Sequence, residues 1–245
     1  KNYSSKDGLS QRSVISIIQD HQGYLWFGTR YGLNKFDGKT FETYHYSALS
    51  LNTISNNWIL SLLEDRNKNI WVGTRNGLNK YIRGKNSFER VFLDKEKNIP
   101  YNIEVSDIKQ GAGHFLWIAT TEGLHRFNTQ TYKVLKFKTN VNNPSSIGSN
   151  ATSSVLLTKR AELWVCNSKS IDIYQPKTNS FIHFSYPDND SPQLTKNTTT
   201  TLTNSTAGGV WSSNLTNIAT VGSSTGVVTG VSSGTATISY SVTGE

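Results

Sequence analysis

Four tryptophans constrain this chain before anything else does: Trp26, Trp71, Trp117 and Trp164 fall 45, 46 and 47 positions apart. Each sits inside a version of one phrase. The phrase is clearest as Tyr24-Leu25-Trp26-Phe27-Gly28-Thr29-Arg30-Tyr31-Gly32-Leu33-Asn34-Lys35-Phe36, returns nearly intact from Ile70 to Tyr81, and is looser from Leu116 to Phe127 and from Leu163 to Ile171. A fixed period of this length, filled with strand-forming residues, marks stacked or radially arranged units. Within one unit Leu25, Phe27 and Thr29 face one way and Trp26 and Gly28 the other, so the strand must be covered on both sides. Thr29 to Gly32 reads as a tight hairpin with glycine at a positive φ, and Gly32 to Phe36 as the return strand. Val14 to Gln19 precedes it through Asp20-His21-Gln22-Gly23, which has the order of a type I turn, and Phe41 to Tyr46 follows as a fourth strand. Four short strands sandwiched between copies of themselves make one blade of a β-propeller.

The chain is therefore expected to be all-β, with about four blades at 14–46, 58–93, 105–138 and 153–185 in an incomplete or open propeller. An open arc would leave sheet edges free to pair with another copy, so a homodimer or edge-to-edge self-association is a partner expectation. Lys1 to Tyr3 reads as the end of an outer strand. Blade four is the weakest, because Ser170 stands where the hairpin glycine should be and would be strained at a positive φ. Residues 187–192 read as a linker. From 193 to 245 the strands Thr198 to Leu202, Val210 to Ser213, Ile218 to Val221, Val227 to Val231 and Thr235 to Val242 have the pattern of a small immunoglobulin-like β-sandwich.

The 25 basic residues outnumber the 17 acidic ones, and from Asn197 onward only Glu245 is charged, so the excess belongs to the repeats. Its dispersal among turns argues against nucleic acid, which requires a stripe or a recognition motif. The single cysteine excludes an internal disulfide. Cys166 takes the slot of Gly28, Gly73 and Ala119, which makes it a packing residue rather than a nucleophile. No window has the length of a membrane span, so a membrane is expected only through segments outside this sequence. The absence of methionine reads as a piece of a longer protein.

Through Asp7-Gly8-Leu9-Ser10, Asp20-x-x-Gly23-x-Leu25-Trp26-x-Gly28-Thr29-x-x-Gly32-Leu33 and Phe36-Asp37-Gly38, residues 1–186 resemble the two-component regulator propeller repeats of Bacteroidetes hybrid two-component sensors. That resemblance implies a periplasmic receptor ectodomain followed by a membrane span and kinase, with oligosaccharides as signals. Val210-Trp211-Ser212-Ser213-Asn214, Ile218-Ala219-Thr220-Val221, Gly226 to Val231 and Gly234-Thr235-Ala236-Thr237-Ile238 resemble the group 2 bacterial immunoglobulin-like fold over about 193–243. This module is of the adhesin type and departs from the sensor pattern.

Catalytic chemistry finds little support. His21, His45, His114, His125 and His183 lack ligand spacing, so no metal and no cofactor is expected. Asp20 and Asp65 recur at one turn of their repeats and read as turn formers rather than an acid–base pair. The recurring tryptophans read as core between blades rather than a sugar platform. Arg30, Tyr31, Arg75, Asn76, Thr121 and Glu122 occupy the hairpin tips and vary between repeats while the flanking Thr and Gly persist. Variable tips on a repeated scaffold suit recognition, and these six are the candidate ligand-binding residues, for an oligosaccharide. The reading is a non-catalytic sensor fragment. The alternative is a surface or secreted adhesion protein, and a propeller enzyme such as a lyase stands third.

Overall fold

The computed structural model describes residues 3–93, 103–185, 199–204, 206–234 and 236–242. The chain divides into two compact units, Lys1–Tyr186 and Pro187–Glu245.

The first unit is a series of four antiparallel sheets of four strands, each in chain order. Blade one holds β1 (Val14–Gln19), β2 (Leu25–Thr29), β3 (Gly32–Phe36) and β4 (Phe41–Tyr44); blade two holds β5 (Ile59–Glu64), β6 (Ile70–Thr74), β7 (Gly77–Ile82) and β8 (Ser87–Val91). Blade three holds β9 (Val105–Gln110), β10 (Phe115–Thr120), β11 (Gly123–Asn128) and β12 (Val134–Phe137); blade four holds β13 (Thr152–Leu157), β14 (Leu163–Asn167), β15 (Ser170–Gln175) and β16 (Ser180–Ser185). Every inner strand carries a bulge near its start, at residues 15, 60, 106 and 153. One extra residue bends the strand at the same point in each blade, which is how a repeated sheet keeps a repeated twist.

Successive blades interlock through an indole. Trp26 meets Tyr81 of blade two edge-on at 4.9 Å, Trp71 meets Phe127 of blade three at 5.4 Å, and Trp117 meets Tyr174 of blade four at 4.9 Å. Such contacts add about 0.5–1.5 kcal/mol to the area they bury. Around each indole lies a separate apolar cluster that fills one seam, as Trp26 and Leu33 do with Ile54, Ile59, Leu62, Tyr81 and Phe88. The first two seams leave no room for a Cβ at the residue two positions after the indole. A Cβ on Gly28 would lie 2.7 Å from Ile59 Cγ2, and one on Gly73 would lie 2.7 Å from Val105 Cγ1 and 2.9 Å from the Val105 carbonyl oxygen. Basic residues cap the seam: Lys35 lies 4.1 Å over the Tyr24 ring, Lys80 5.7 Å over Trp71 and Arg126 5.9 Å over Trp117. Part of the positive excess is thus spent on aromatic faces.

The first two blades have a further lock. Asp20 Oδ2 accepts from Trp26 Nε1 at 2.9 Å and Asp65 Oδ2 from Trp71 Nε1 at 2.8 Å, while each carboxylate also closes its own turn. Arg83 of blade two reaches across to Asp20 at 3.1 Å and pairs with Glu64 of its own blade at 3.2 Å. Burial alone would raise the Asp20 pKa, but hydrogen bonds from Trp26, Arg83 and the Gln22 backbone outweigh it and hold the carboxyl below its usual value.

Among the described residues the outward faces of the first and fourth blades are more exposed than their counterparts. Ile17 is 57% exposed where its counterparts Leu62, Ile108 and Val155 are buried, and Phe184 is 54% exposed where Val91 and Phe137 are buried. Cys166 is half-buried on that last face.

Three local expectations are corrected. Tyr3 is not in a strand; it precedes a short 3-10 turn (Ser5–Asp7) and packs its ring on Phe36 and Phe41, while residues 1 and 2 lie outside the described residues. Ser170 has no positive φ, because Asn167 Oδ1 accepts from the Lys169 and Ser170 amides and a side chain shapes that turn instead. Outer strands are shorter than expected: β4 stops at Tyr44, where Tyr46 N–H turns away to Asn57 Oδ1, and β8 stops at Val91, although Leu93 stays buried in the next seam.

The second unit has strands β17 (Thr199–Thr201), β18 (Val210–Ser213), β19 (Ala219–Val221), β20 (Val227–Gly230) and β21 (Ile238–Ser241). They form a sheet of order β17-β20-β19 and a β18-β21 pair, and Trp211 packs on Tyr240 at 4.7 Å. The expected linker, 187–192, lies outside the described residues.

Two outcomes follow from the seams. Gly73→Ala is expected to lower the unfolding free energy by about 1–3 kcal/mol, measured by urea denaturation, whereas Cys166→Ala on the outward face of blade four changes it little. For Asp20, a folded-state pKa below the unfolded 3.8 gives stability that is complete above that value and lost as pH falls through the folded one. Asp20→Asn is therefore expected to be less stable at neutral pH and to show a flatter melting-temperature profile below about pH 4.

Candidate functional site

The hairpin tips of the first three blades are built alike, and the sequence explains why. A residue with positive φ is needed where β3, β7 and β11 begin, and Gly32 (φ 127°), Gly77 (φ 117°) and Gly123 (φ 109°) supply it. The threonine that ends the preceding strand then folds onto its own turn. Thr29 Oγ1 donates to the Gly32 carbonyl at 2.9 Å and accepts from Tyr31 N–H at 3.0 Å; Thr74 does the same with Gly77 and Asn76, and Thr120 with Gly123 and Glu122. All three threonines are fully buried.

A second bond set fixes the loops that enter the inner strands. Asn34 Oδ1 accepts from Ser10 N–H and its Nδ2 donates to Ser10 Oγ, both at 2.8 Å; Asn79 repeats this with Ser55 at 2.9 Å. In blade four the slot holds Asp172, which accepts from Gly148 N–H, Asn167 Nδ2 and the Ser170 hydroxyl. His183 Nδ1 lies 2.8 Å from the same carboxylate, and its Nε2 faces the Pro144 carbonyl at 3.0 Å. Serine and imidazole therefore share the aspartate without touching in the manner of a nucleophilic relay. In blade three the slot holds His125, whose pKa burial pulls down to about 4, so the ring is neutral near pH 7.

On this frame the six candidate residues separate. Arg30 and Arg75, from neighbouring tips, are brought together: their guanidinium carbons lie 4.8 and 4.4 Å from the centre of one ring, that of Trp58. Tyr31, 62% exposed, stands on the Arg30 tip with its ring edge-on to His45 at 5.6 Å. Asn76 shares the Arg75 tip. Arg75 Nε lies 3.4 Å from Glu104 Oε2, and the Glu104 backbone exchanges bonds with Thr121, which ties the third tip to the second. Glu122 does not join them; it pairs with Lys138 at 3.2 Å.

Sequence reasoning missed Trp58, Glu104 and His45. Trp58 was legible in one respect: it is a tryptophan out of phase with the repeat, in the position held by Ser13, Glu104 and Ala151 in the other blades. Among the described residues no group of three or more His, Cys, Asp or Glu is placed to hold a metal, and no helix is long and apolar enough to cross a membrane.

Residues 8–31 and 53–76, which contain the first two tips, match the family described as Two component regulator propeller. These two segments are similar to regulator propeller repeats. A 55-residue stretch is 54% identical to Histidine kinase P4 of Formosa agariphila, covering 22% of this chain and 4% of the kinase. Among solved structures, the extracellular domain of a hybrid two component system from B. thetaiotaomicron is 30% identical, with a TM-score of 0.66 over 81% of this chain and 28% of that one. A second such domain from the same organism, 20% identical with a TM-score of 0.60 over 70% of this chain and 22% of its own, shares the fold. The chain thus resembles the extracellular domains of hybrid two-component sensors and spans less than a third of each of these relatives.

Because each tip threonine bonds at both ends of its turn, Thr74→Val is expected to cost about 1–3 kcal/mol. Amide hydrogen exchange at Asn76 should accelerate in the same variant, while exchange at Tyr31 in the first tip stays as it was.

Proposed function

We propose that this chain is part of the periplasmic, non-catalytic sensing region of a two-component regulatory system of the Bacteroidetes type, and that its hairpin rim binds an oligosaccharide signal. The carrying observation is the division of labour among polar groups. The recurring ones, such as Thr29, Asn34, Thr74 and Asn79, are buried and consumed by backbone bonds, whereas Arg30, Tyr31 and Arg75 stand exposed on tips those bonds hold still. A fixed platform with exposed donors and rings is what binding without chemistry requires. Signalling on this reading is a population shift, in which the ligand favours one arrangement of the receptor over another.

The second unit supports a subordinate reading. Its sheets of three and two strands, with no charged side chain between Asn197 and Glu245, fit an immunoglobulin-like module, and such a module on a propeller would also serve adhesion at the cell surface.

Incubating the purified chain with a panel of oligosaccharides, with calorimetry for binding and mass spectrometry for products, tests the proposal. Sugar bound and recovered intact is the expected result. Cleavage would move the chain to the enzymes, and failure to bind any sugar would leave adhesion as the better account.

A further inference from the structure

Two arginines from adjacent blades converge on one indole, and this arrangement specifies more than a generic sugar site. We propose that the rim between blades one and two recognises the acidic group of its saccharide, the carboxylate of a uronate or a sulfate ester. The inference rests on the reading of the rim as a saccharide site and narrows the ligand within it.

A neutral sugar ring needs an uncovered aromatic face to stack on. The Trp58 ring is already occupied by the guanidinium groups of Arg30 and Arg75, so it serves as a seat for the arginines rather than for a sugar. Stacking uses the flat face of a guanidinium and leaves its in-plane N–H donors available. Among the described residues the Arg30 guanidinium has no acidic partner, and Arg75, whose side chain is 55% exposed, has its Nε 3.4 Å from Glu104 Oε2. Two positive charges held over one ring are matched by a single carboxylate, and a bound anion would balance the second. Planar carboxylate and sulfate oxygens match the guanidinium fork, and forks already seated on a ring lose less freedom on binding. Tyr31, on the Arg30 tip, offers the uncovered ring that Trp58 does not.

Calorimetry on the full chain with a tetragalacturonate, a sulfated galactan oligosaccharide, and the methyl-esterified and desulfated counterparts of each would decide the matter. The acidic member of at least one pair is expected to bind about tenfold or more tightly than its neutral counterpart, and the pair that shows it identifies carboxylate or sulfate as the group read. That preference should weaken at high salt and disappear in Arg30→Ala/Arg75→Ala. Arg30→Lys/Arg75→Lys, which keeps the charge but not the fork, should lose most of it, and Trp58→Ala should weaken acidic ligands although it changes no charge; unaltered melting temperatures would show that each variant is folded. Neutral sugars binding as well as acidic ones, or acidic affinity surviving in the double alanine variant, would overturn the inference while leaving the saccharide reading intact. Unchanged affinity in Trp58→Ala would overturn the role given to the indole seat. If neither acidic nor neutral sugars bind, both readings fall together.

Discussion

No blade of this protein can bury its own tryptophan. Trp26, Trp71 and Trp117 project from the second strand of one sheet and are covered by Tyr81, Phe127 and Tyr174 from the third strand of the next. Each sheet is therefore stable only in company, and the seam, not the sheet, is the unit of stability. The small residue two places after the indole, the bulge in the inner strand and the cation lying over the aromatic cap are all conditions for that seam to close. The fourth indole differs: among the described residues Trp164 stacks only on Phe184 of its own sheet, and its Nε1 has no hydrogen-bond partner.

The same economy explains the rim. A hairpin tip that had to order itself on binding would lose conformational entropy at that moment. Here the buried threonine and the glycine with positive φ have already fixed the turn, and Gly32 N–H and Gly123 N–H reach the carbonyls of Asn57 and Asn150 in the following blade at 2.8 and 2.7 Å. The tip residues are thus mounted on a scaffold that spans two blades. Variation at Arg30, Arg75 and Thr121 alters what the rim touches without altering how it is held.

The sequence made the blades legible because their cause is periodic. Indole, small residue, threonine and glycine return in register, and each corresponds to one recurring contact. It made the geometry of the candidate site legible only in part. The exposed tips were readable as tips, but their meeting at Trp58 was not, because Arg30 and Arg75 are distant in sequence and the ring between them lies outside the repeat. Blade four misled for a related reason. The absence of glycine at Ser170 looked like strain, yet Asn167 supplies a side-chain turn that no period announces. Recurring features report the seams, and departures from recurrence report what is particular to one place, which only geometry interprets.

Among the described residues, hydrogen bonds between blades in the first unit join nearest neighbours, as Arg83 joins Asp20 and Asp107 accepts from Ser154 at 2.9 Å. An assembly of this kind behaves as a series of sheets whose joints share the indole contact and differ in their polar locks. Duplication of one sheet would lengthen it without disturbing the others, whereas a deletion ending inside a sheet would strand an indole with nothing to rest on. On packing grounds the whole blade is thus the smallest piece that can be added or removed without leaving an indole uncovered.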